Sequence, residues 1–222
     1  MVLVVEDDVN INLVVCEYLK DANFDVVSYT SGSAAKEYLL SGVCPDLCIF
    51  DIMLPGKSGL DLLRLARSQE STAQIPIMML TALNSEKTQL ESFDELADDY
   101  VTKPFSPKLL VKRAEALLRR SCPADGMPIL RFGNLEIDAA RHNVQDKGKR
   151  LALTLKEFEL LKTLVENKHK VLSRQKLLEL VWGYDYFGDD RIVDAHIKNL
   201  RKKLASDIVK TVKGVGYKAD EQ

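Results

Sequence analysis

Five polar residues stand out because of what precedes them: Glu6 and Asp7 follow VLVV, Asp51 follows CIF, Thr81 follows IMML, and Lys103 closes DYVTK. Each ends or directly follows a short β-prone run, and together they offer three carboxylates, a hydroxyl and an ammonium. Three anions gathered in one cleft repel one another unless a cation joins them, and an oxygen-only donor set favours a hard ion such as Mg2+. A metal held by one or two carboxylates keeps positions open for phosphate oxygens. Lys103 and Thr81 could hold the remaining oxygens of such a group.

That chemistry requires elements that bring these residues to one edge. Apolar runs at residues 2–5, 25–29, 47–50, 77–80 and 99–101 alternate with segments of helix length. Near-continuous apolar strands alternating with helices predict a parallel sheet covered on both faces, here a flavodoxin-like doubly wound domain. In such a sheet ligands bind beyond the carboxyl ends of the strands, where the five polar residues fall. Two prolines and a glycine in RRSCPADGMP break the periodicity, so residues 1–121 are expected as one domain, 122–128 as a linker and 129–222 as a second domain.

The second half reads differently. Residues 129–138 and 142–145, with turns at Gly133-Asn134 and Lys147-Gly148, predict a small antiparallel sheet. Three helices follow: one opened by Thr154 with Glu157 as a capping box, one capped by Ser173 and running to about Trp182-Gly183, and one over residues 191–204. A hairpin around Gly214, with arms at 208–212 and 215–218, closes the chain.

Composition narrows the function classes. A chain of 222 residues that is 46% hydrophobic and 29% charged is globular in type. No stretch approaches the roughly 18 apolar residues of a membrane helix, and Met1 to Val5 before the acid run is too short for a signal core. A soluble, cytoplasmic protein with no membrane partner is expected. Cys16, Cys44, Cys48 and Cys122 lack metal-ligand spacing, so buried or incidental thiols are expected. The net charge of −2 conceals an asymmetry: residues 1–121 carry 12 Lys+Arg against 18 Asp+Glu, whereas residues 122–222 carry 19 against 15. A basic second half points to a different partner, nucleic acid among the candidates.

The stretches VLVVEDD, FDIMLPGKSGLDLL, MMLTA and ADDYVTKPF resemble, in order and spacing, the receiver domain of bacterial two-component response regulators. The resemblance implies that Asp51 accepts a phosphoryl group from a sensor histidine kinase with Mg2+ required. It implies that Asp7, Asp51 and the main-chain carbonyl of Met53 ligate the metal, with Glu6 near it. Lys103 would pair with the acceptor or its phosphate, Thr81 would swing toward the phosphoryl oxygen, and Tyr100 would turn inward with it. Met53 and Leu83 lie two residues beyond Asp51 and Thr81, near the approach of a hydrolytic water, and neither can orient that water by hydrogen bonding. A long-lived aspartyl phosphate is therefore expected.

In the third C-terminal helix, Val193, Ile197, Leu200 and Leu204 form a narrow apolar stripe on a helical wheel, opposite Arg191, Ala195, Lys198, Asn199 and Lys202. Such a basic face can enter a major groove, with lysines neutralising phosphates and Asn199 reading a base edge. The stretches LTLKEFELLKTLVE, VLSRQKLLELVWGYD, DDRIVDAHIKNLRKKL and IVKTVKGVGYK resemble the winged-helix effector domain of the OmpR/PhoB class. That match makes Arg191, His196, Lys198, Asn199, Arg201 and Lys202 the DNA-facing set, with Thr211 and Lys213 at the wing. His196 and Arg201, on the flanks of the wheel, are expected to contact phosphate, and Trp182 is expected in the core.

The same resemblance implies a homodimer on phosphorylation, formed through the family's fourth helix, fifth strand and fifth helix, with two effector domains on direct-repeat promoter sites and RNA polymerase as a further partner. Asp99 and Arg113 match one ion pair of that interface. At another, Gln89 and Leu109 replace the usual Arg and Glu, and Leu96 stands where Gly is usual. Two other classes share features: a Mg2+-dependent phosphohydrolase, which would want a second acid where Met53 stands, and a DNA-binding module whose receiver no longer accepts phosphate.

Overall fold

A computed structural model describes residues 1–82, 97–121, 129–183 and 190–221 of the chain, the side chains of 120 and 121 excepted. The chain divides into two compact units, Met1–Arg120 and Ser121–Gln222.

In the first unit β1 (Val2–Val5), β2 (Val26–Tyr29), β3 (Leu47–Asp51), β4 (Ile77–Ala82) and β5 (Asp99–Lys103) form one sheet in the order β2-β1-β3-β4-β5. Every pairing is parallel. β1 and β3 are buried along their whole length, which is why their sequences are continuous apolar runs and not alternating ones. The strands reach further than the apolar runs suggest. Pairing continues through Asp51↔Leu80, Thr81↔Thr102 and Ala82↔Lys103, so Asp51, Thr81 and Lys103 lie inside the ends of β3, β4 and β5 instead of in the loops after them.

Among the described residues the helices of this unit are α1 (Val9–Asp21), α2 (Gly32–Leu40), α3 (Gly59–Ser68) and α4 (Pro107–Ser121). Asp8 caps α1 by accepting from the Asn10 and Ile11 amides, and Ser58 with Asp61 forms a capping box on α3. Gly59 brings backbone against backbone. A Cβ on Gly59 would lie 2.0 Å from the Asp51 carbonyl oxygen, so α3 can start directly against the end of β3 only because position 59 has no side chain. At the far end of the sheet the Arg67 guanidinium donates to the carbonyls of Ala73 and Ile75 and to Asp98 Oδ2 at 2.7 Å, and the same oxygen accepts the Ile77 amide at 2.8 Å. This buried ion pair ties the starts of β4 and β5 to the end of α3.

The second unit opens with an antiparallel sheet of β6 (Leu130–Phe132), β7 (Leu135–Asp138), β8 (Asn143–Asp146) and β9 (Lys149–Arg150). Lys147 and Gly148 both have positive φ (52° and 77°), the backbone of a two-residue hairpin turn that matches strand twist. Helices α5 (Leu155–Glu166), α6 (Arg174–Trp182) and α7 (Arg191–Lys203) follow, α5 with the expected Thr154–Glu157 capping box and α6 capped by Ser173. The chain ends in a hairpin of β11 (Val209–Val212) and β12 (Gly216–Ala219). One element was not anticipated: Leu172 and Ser173 form a short strand, β10, paired with β12. The close pairing depends on Gly216, whose added Cβ would fall 2.0 Å from the Leu172 carbonyl oxygen.

Replacing Gly59 by Ala should force the end of β3 and the start of α3 apart and destabilise the first unit by about 1–3 kcal/mol, the usual scale of overpacking. Urea unfolding of the wild-type and variant chains measures it, with a lower midpoint expected for the variant.

Candidate functional site

At the carboxyl edge of the first sheet, ligand oxygens of Glu6, Asp7 and Asp51 lie within 4.8 Å of one another. Glu6 and Asp51 are buried and Asp7 is exposed, so two charges are removed from water while the third faces the opening. Lys103 reaches across from β5. Its Nζ donates to Asp51 Oδ2 at 2.7 Å and to Glu6 Oε1 at 2.8 Å. Glu6 Oε2 is also 2.7 Å from this ammonium but outside hydrogen-bonding geometry, so it is a buried carboxylate oxygen in electrostatic contact alone. The other oxygen of Asp51 accepts the Met53 amide at 3.1 Å, which fixes the carboxylate between the ammonium and the main chain.

Burial pushes the Glu6 carboxyl up to about 7, with the Lys103 hydrogen bond opposing and the Asp51 charge adding to the rise. Burial alone would lower the Lys103 ammonium, but its hydrogen bonds to Asp51 and Glu6 outweigh this and raise it. One cation thus stands among three carboxylates. The all-oxygen donors, the negative excess and the incompletely satisfied Glu6 Oε2 fit a hard divalent ion.

A residue not singled out from the sequence holds this corner in shape. Asn12, buried in α1, donates to the carbonyls of Glu6 (3.1 Å) and Tyr29 (3.2 Å), tying the chain after β1 to the end of β2. The signal was available as an amide on the stripe otherwise formed by Val15, Cys16 and Leu19, all buried. The Thr81 hydroxyl is buried and donates only weakly, to the Ala82 carbonyl at 3.4 Å. Tyr100 is half-buried, and Met53 is 70% exposed. Asp99 and Arg113 pair within the chain, Nη1 lying 3.0 and 3.1 Å from the two carboxylate oxygens, and Leu109 is exposed. Leu83, Gln89, Leu96 and Cys122 lie outside the described residues.

In the second unit, Arg191, Lys198, Arg201 and Lys202 are exposed on α7, and Thr211 and Lys213 are exposed on and beside β11. Asn199 is half-buried; its amide donates to the Ala195 carbonyl and its oxygen accepts from Lys202 Nζ at 3.2 Å. Two expectations are corrected here. His196 is 1% exposed with its ring 5.3 Å from that of Trp182, which is buried as expected, so the imidazole is a core group and not a phosphate contact. Ala195, placed on the basic face by the wheel, is 8% exposed. Helix α7 meets both α5 and α6, which widens its buried stripe beyond the one read from Val193, Ile197, Leu200 and Leu204. Arg201 is exposed yet engaged: it donates to the Val209 carbonyl through Nε and Nη2 and to Thr211 Oγ1 through Nη2 at 2.8 Å.

The chain thus combines a doubly wound unit that has an acidic cleft at its carboxyl edge with a second unit that presents a basic helix beside a hairpin. Residues 2–115 match the family model described as response regulator receiver domain, and residues 148–219 match that of transcriptional regulatory protein, C terminal. The chain is 44% identical to regulatory protein VanRB of Enterococcus faecalis over 99% of its length and 97% of that protein. It is 39% identical to the phosphate regulon transcriptional regulatory protein PhoB of Rhizobium meliloti, covering 97% and 96% of the two chains. Among solved structures, the Thermotoga maritima response regulator DrrB aligns with a TM-score of 0.51 at 36% identity, over 99% of this chain and 98% of that one. The protein belongs to the OmpR/PhoB class of response regulators, with a receiver domain followed by a winged-helix DNA-binding domain. Among the described residues no helix is long and apolar enough to cross a membrane.

Because His196 fills core volume against Trp182, truncation to Ala should destabilise the DNA-binding domain by roughly 2–4 kcal/mol. Lys198→Ala, on the exposed side of the same helix, should stay within about 0.5 kcal/mol. Chemical denaturation of both variants beside the wild type provides the comparison.

Proposed function

We propose that this regulator is switched by Mg2+-dependent transfer of a phosphoryl group from a sensor histidine kinase to Asp51, and that the phosphorylated form dimerises and binds direct-repeat promoter sites. The observation that carries the reading is the Asp51 carboxylate held between Lys103 Nζ at 2.7 Å and the Met53 amide at 3.1 Å, beside Glu6 and Asp7. Glu6, Asp7, Asp51 and the Met53 carbonyl would hold the ion, which when bound offsets negative charge on phosphoryl oxygens.

The step is nucleophilic catalysis by a carboxylate. An Asp51 oxygen forms a bond to phosphorus as the bond from phosphorus to the donor imidazole nitrogen breaks, leaving an acyl phosphate and a neutral histidine on the kinase. Lys103 keeps Asp51 ionised and oriented before transfer and pairs with a phosphoryl oxygen afterwards. Thr81, whose hydroxyl is only weakly engaged, turns to another phosphoryl oxygen, and Tyr100 moves inward behind it. Exposed Val9, Leu13 and Val14 on α1, next to a hollow of about 500 Å³ lined by Ile11, Lys103, Pro104, Phe105 and Pro107, favour a protein donor over a small one.

The dimer face includes Asp99, Arg113 and Leu109, together with Gln89. Charges at 99 and 113 are already matched within each chain, so the interface gains no unpaired charge. On DNA, Lys198, Lys202 and Arg191 neutralise phosphates, Asn199 reads a base edge, and Lys213 with Thr211 lies at the minor groove. The protein acts in the cytoplasm with RNA polymerase downstream, and residues 122–128 link the two domains. A phosphohydrolase is disfavoured because position 53 offers an exposed thioether where that chemistry needs an acid.

Incubation with acetyl phosphate and Mg2+ should label the wild type and leave Asp51→Ala unlabelled; equal labelling would remove the assignment. The lifetime of the label is a separate outcome. Met53→Asn places a hydrogen-bonding side chain where water approaches, so decay after donor removal should accelerate several-fold, and an unchanged decay rate would show that position 53 does not set the lifetime.

A further inference from the structure

A carboxylate sits in the first turn of the basic helix: Asp194, with its side chain 41% exposed. A negative charge there repels DNA phosphates, and nothing in the DNA-facing set accounts for it. The structure shows what holds it. Asp194 Oδ1 accepts from Arg174 Nε at 2.7 Å and from the Tyr217 hydroxyl at 2.6 Å. Arg174 begins α6 and Tyr217 lies in β12, so one oxygen joins three elements. Seven residues on, about two turns and roughly 10 Å along α7, Arg201 donates to the Val209 carbonyl and to Thr211 Oγ1 in β11. The buried Tyr217 ring lies between these attachments in the chain of contacts, with the Arg174 guanidinium 5.2 Å and the Arg201 guanidinium 5.6 Å from its centre.

Two attachments fix an angle where one would leave a pivot. The partly exposed Arg174–Asp194 pair contributes little to stability by itself, because surface ion pairs are screened and lose side-chain freedom. Its effect is therefore geometric. We infer that Asp194, held by Arg174 and Tyr217, is a positioning residue that sets the angle between α7 and the β11–β12 hairpin, and through it the sequence selectivity of DNA binding. A helix and a hairpin that must enter neighbouring grooves together need a fixed separation, whereas non-specific attraction to phosphate does not. This inference rests on the DNA-facing reading of α7 and the hairpin given above.

The test uses the full chain, a duplex selected from a random pool by the wild-type protein, and an unselected duplex of equal length, each titrated over a salt series. Tyr217→Phe should weaken the selected duplex about tenfold, the scale of one lost base contact, with the unselected duplex and the salt slope unchanged. Asp194→Asn should weaken the selected duplex and tighten the unselected one, because a repelling charge is lost along with the positioning. The double variant should be no worse than the poorer single. If Tyr217→Phe perturbs folding, as judged by circular dichroism, Arg174→Gln, which removes the other donor to the same Asp194 oxygen, replaces it, with the same loss confined to the selected duplex. Tightening of both duplexes by Asp194→Asn would overturn the proposal, as would equal losses on both duplexes for Tyr217→Phe with the salt slope reduced by about one, which marks a phosphate contact. Lys202→Ala separates the two readings: if it weakens neither duplex, the DNA-facing assignment fails; if it weakens both while Asp194→Asn and Tyr217→Phe change nothing, only the positioning role fails.

Discussion

The ammonium of Lys103, set between the buried carboxylates of Glu6 and Asp51, is the interaction around which the receiver is arranged. At 4 Å two like charges repel by about 4 kcal/mol even at an effective dielectric of 20, so gathering Glu6, Asp7 and Asp51 is tolerable only with a cation among them. One lysine does not balance three acids. Glu6 is pushed up to about 7 chiefly by burial, and the Asp51 charge adds to the rise. The site is thus built with a deficit of positive charge, and a cation that enters it relieves repulsion that the fold imposes. Much of the surrounding structure resists the alternative, in which the carboxylates move apart. The strands that end there are buried throughout, Asn12 ties the corner after β1, and Gly59 lets α3 press on the end of β3.

The DNA-binding domain solves the opposite problem. There the exposed cations include Lys198 and Lys202, while acids nearby are engaged internally: Asp194 with Arg174 and Tyr217, Glu157 with Lys203 and its own helix cap. Buried Lys156 follows the same rule, its ammonium on the Val181 carbonyl and Glu159 and 5.1 Å from the Trp182 ring. In one domain an imbalance is buried and waits for a ligand. In the other, buried Glu157 and Lys156 each face an opposite charge, and Lys198 and Lys202 stand where a polyanion can reach them.

How much of this was legible in the sequence follows from the range of the interactions involved. Capping boxes at Ser58–Asp61 and Thr154–Glu157, the hairpin turn at Lys147-Gly148 and the apolar strands are local features, and a local pattern encodes them; the box at Thr154 and the turn were read directly. The acid cleft was legible because a parallel sheet brings every strand end to one edge, so Glu6, Asp7, Asp51 and Lys103 could be grouped without knowing any distance. Strand β10 was not legible, since two residues carry no periodicity and their pairing depends on a glycine far along the chain. Ala195 was misplaced because a helical wheel assumes one buried side, whereas α7 packs on two neighbours; the same packing buries His196, which the resemblance had put in the DNA-facing set. Arg201 was read as a phosphate contact, and nothing local shows that the Val209 carbonyl lies within its reach.

Met53 shows how one position can serve two demands without conflict. Its amide donates to Asp51 and belongs to the geometry of the proposed acceptor, which any residue but proline can supply. Its side chain is 70% exposed and points no polar atom capable of donating a hydrogen bond at the water that would reach the site. Backbone and side chain at this position are therefore separable: substitution alters access and orientation of water while the carboxylate stays held by the Met53 amide and Lys103. On the proposed reading, a regulator whose output must persist long enough to assemble on DNA can set the duration of its signal at a side chain that takes no part in forming it, and the fold permits this because Asp51 is held by the Met53 amide and by Lys103 instead of by the side chain at 53.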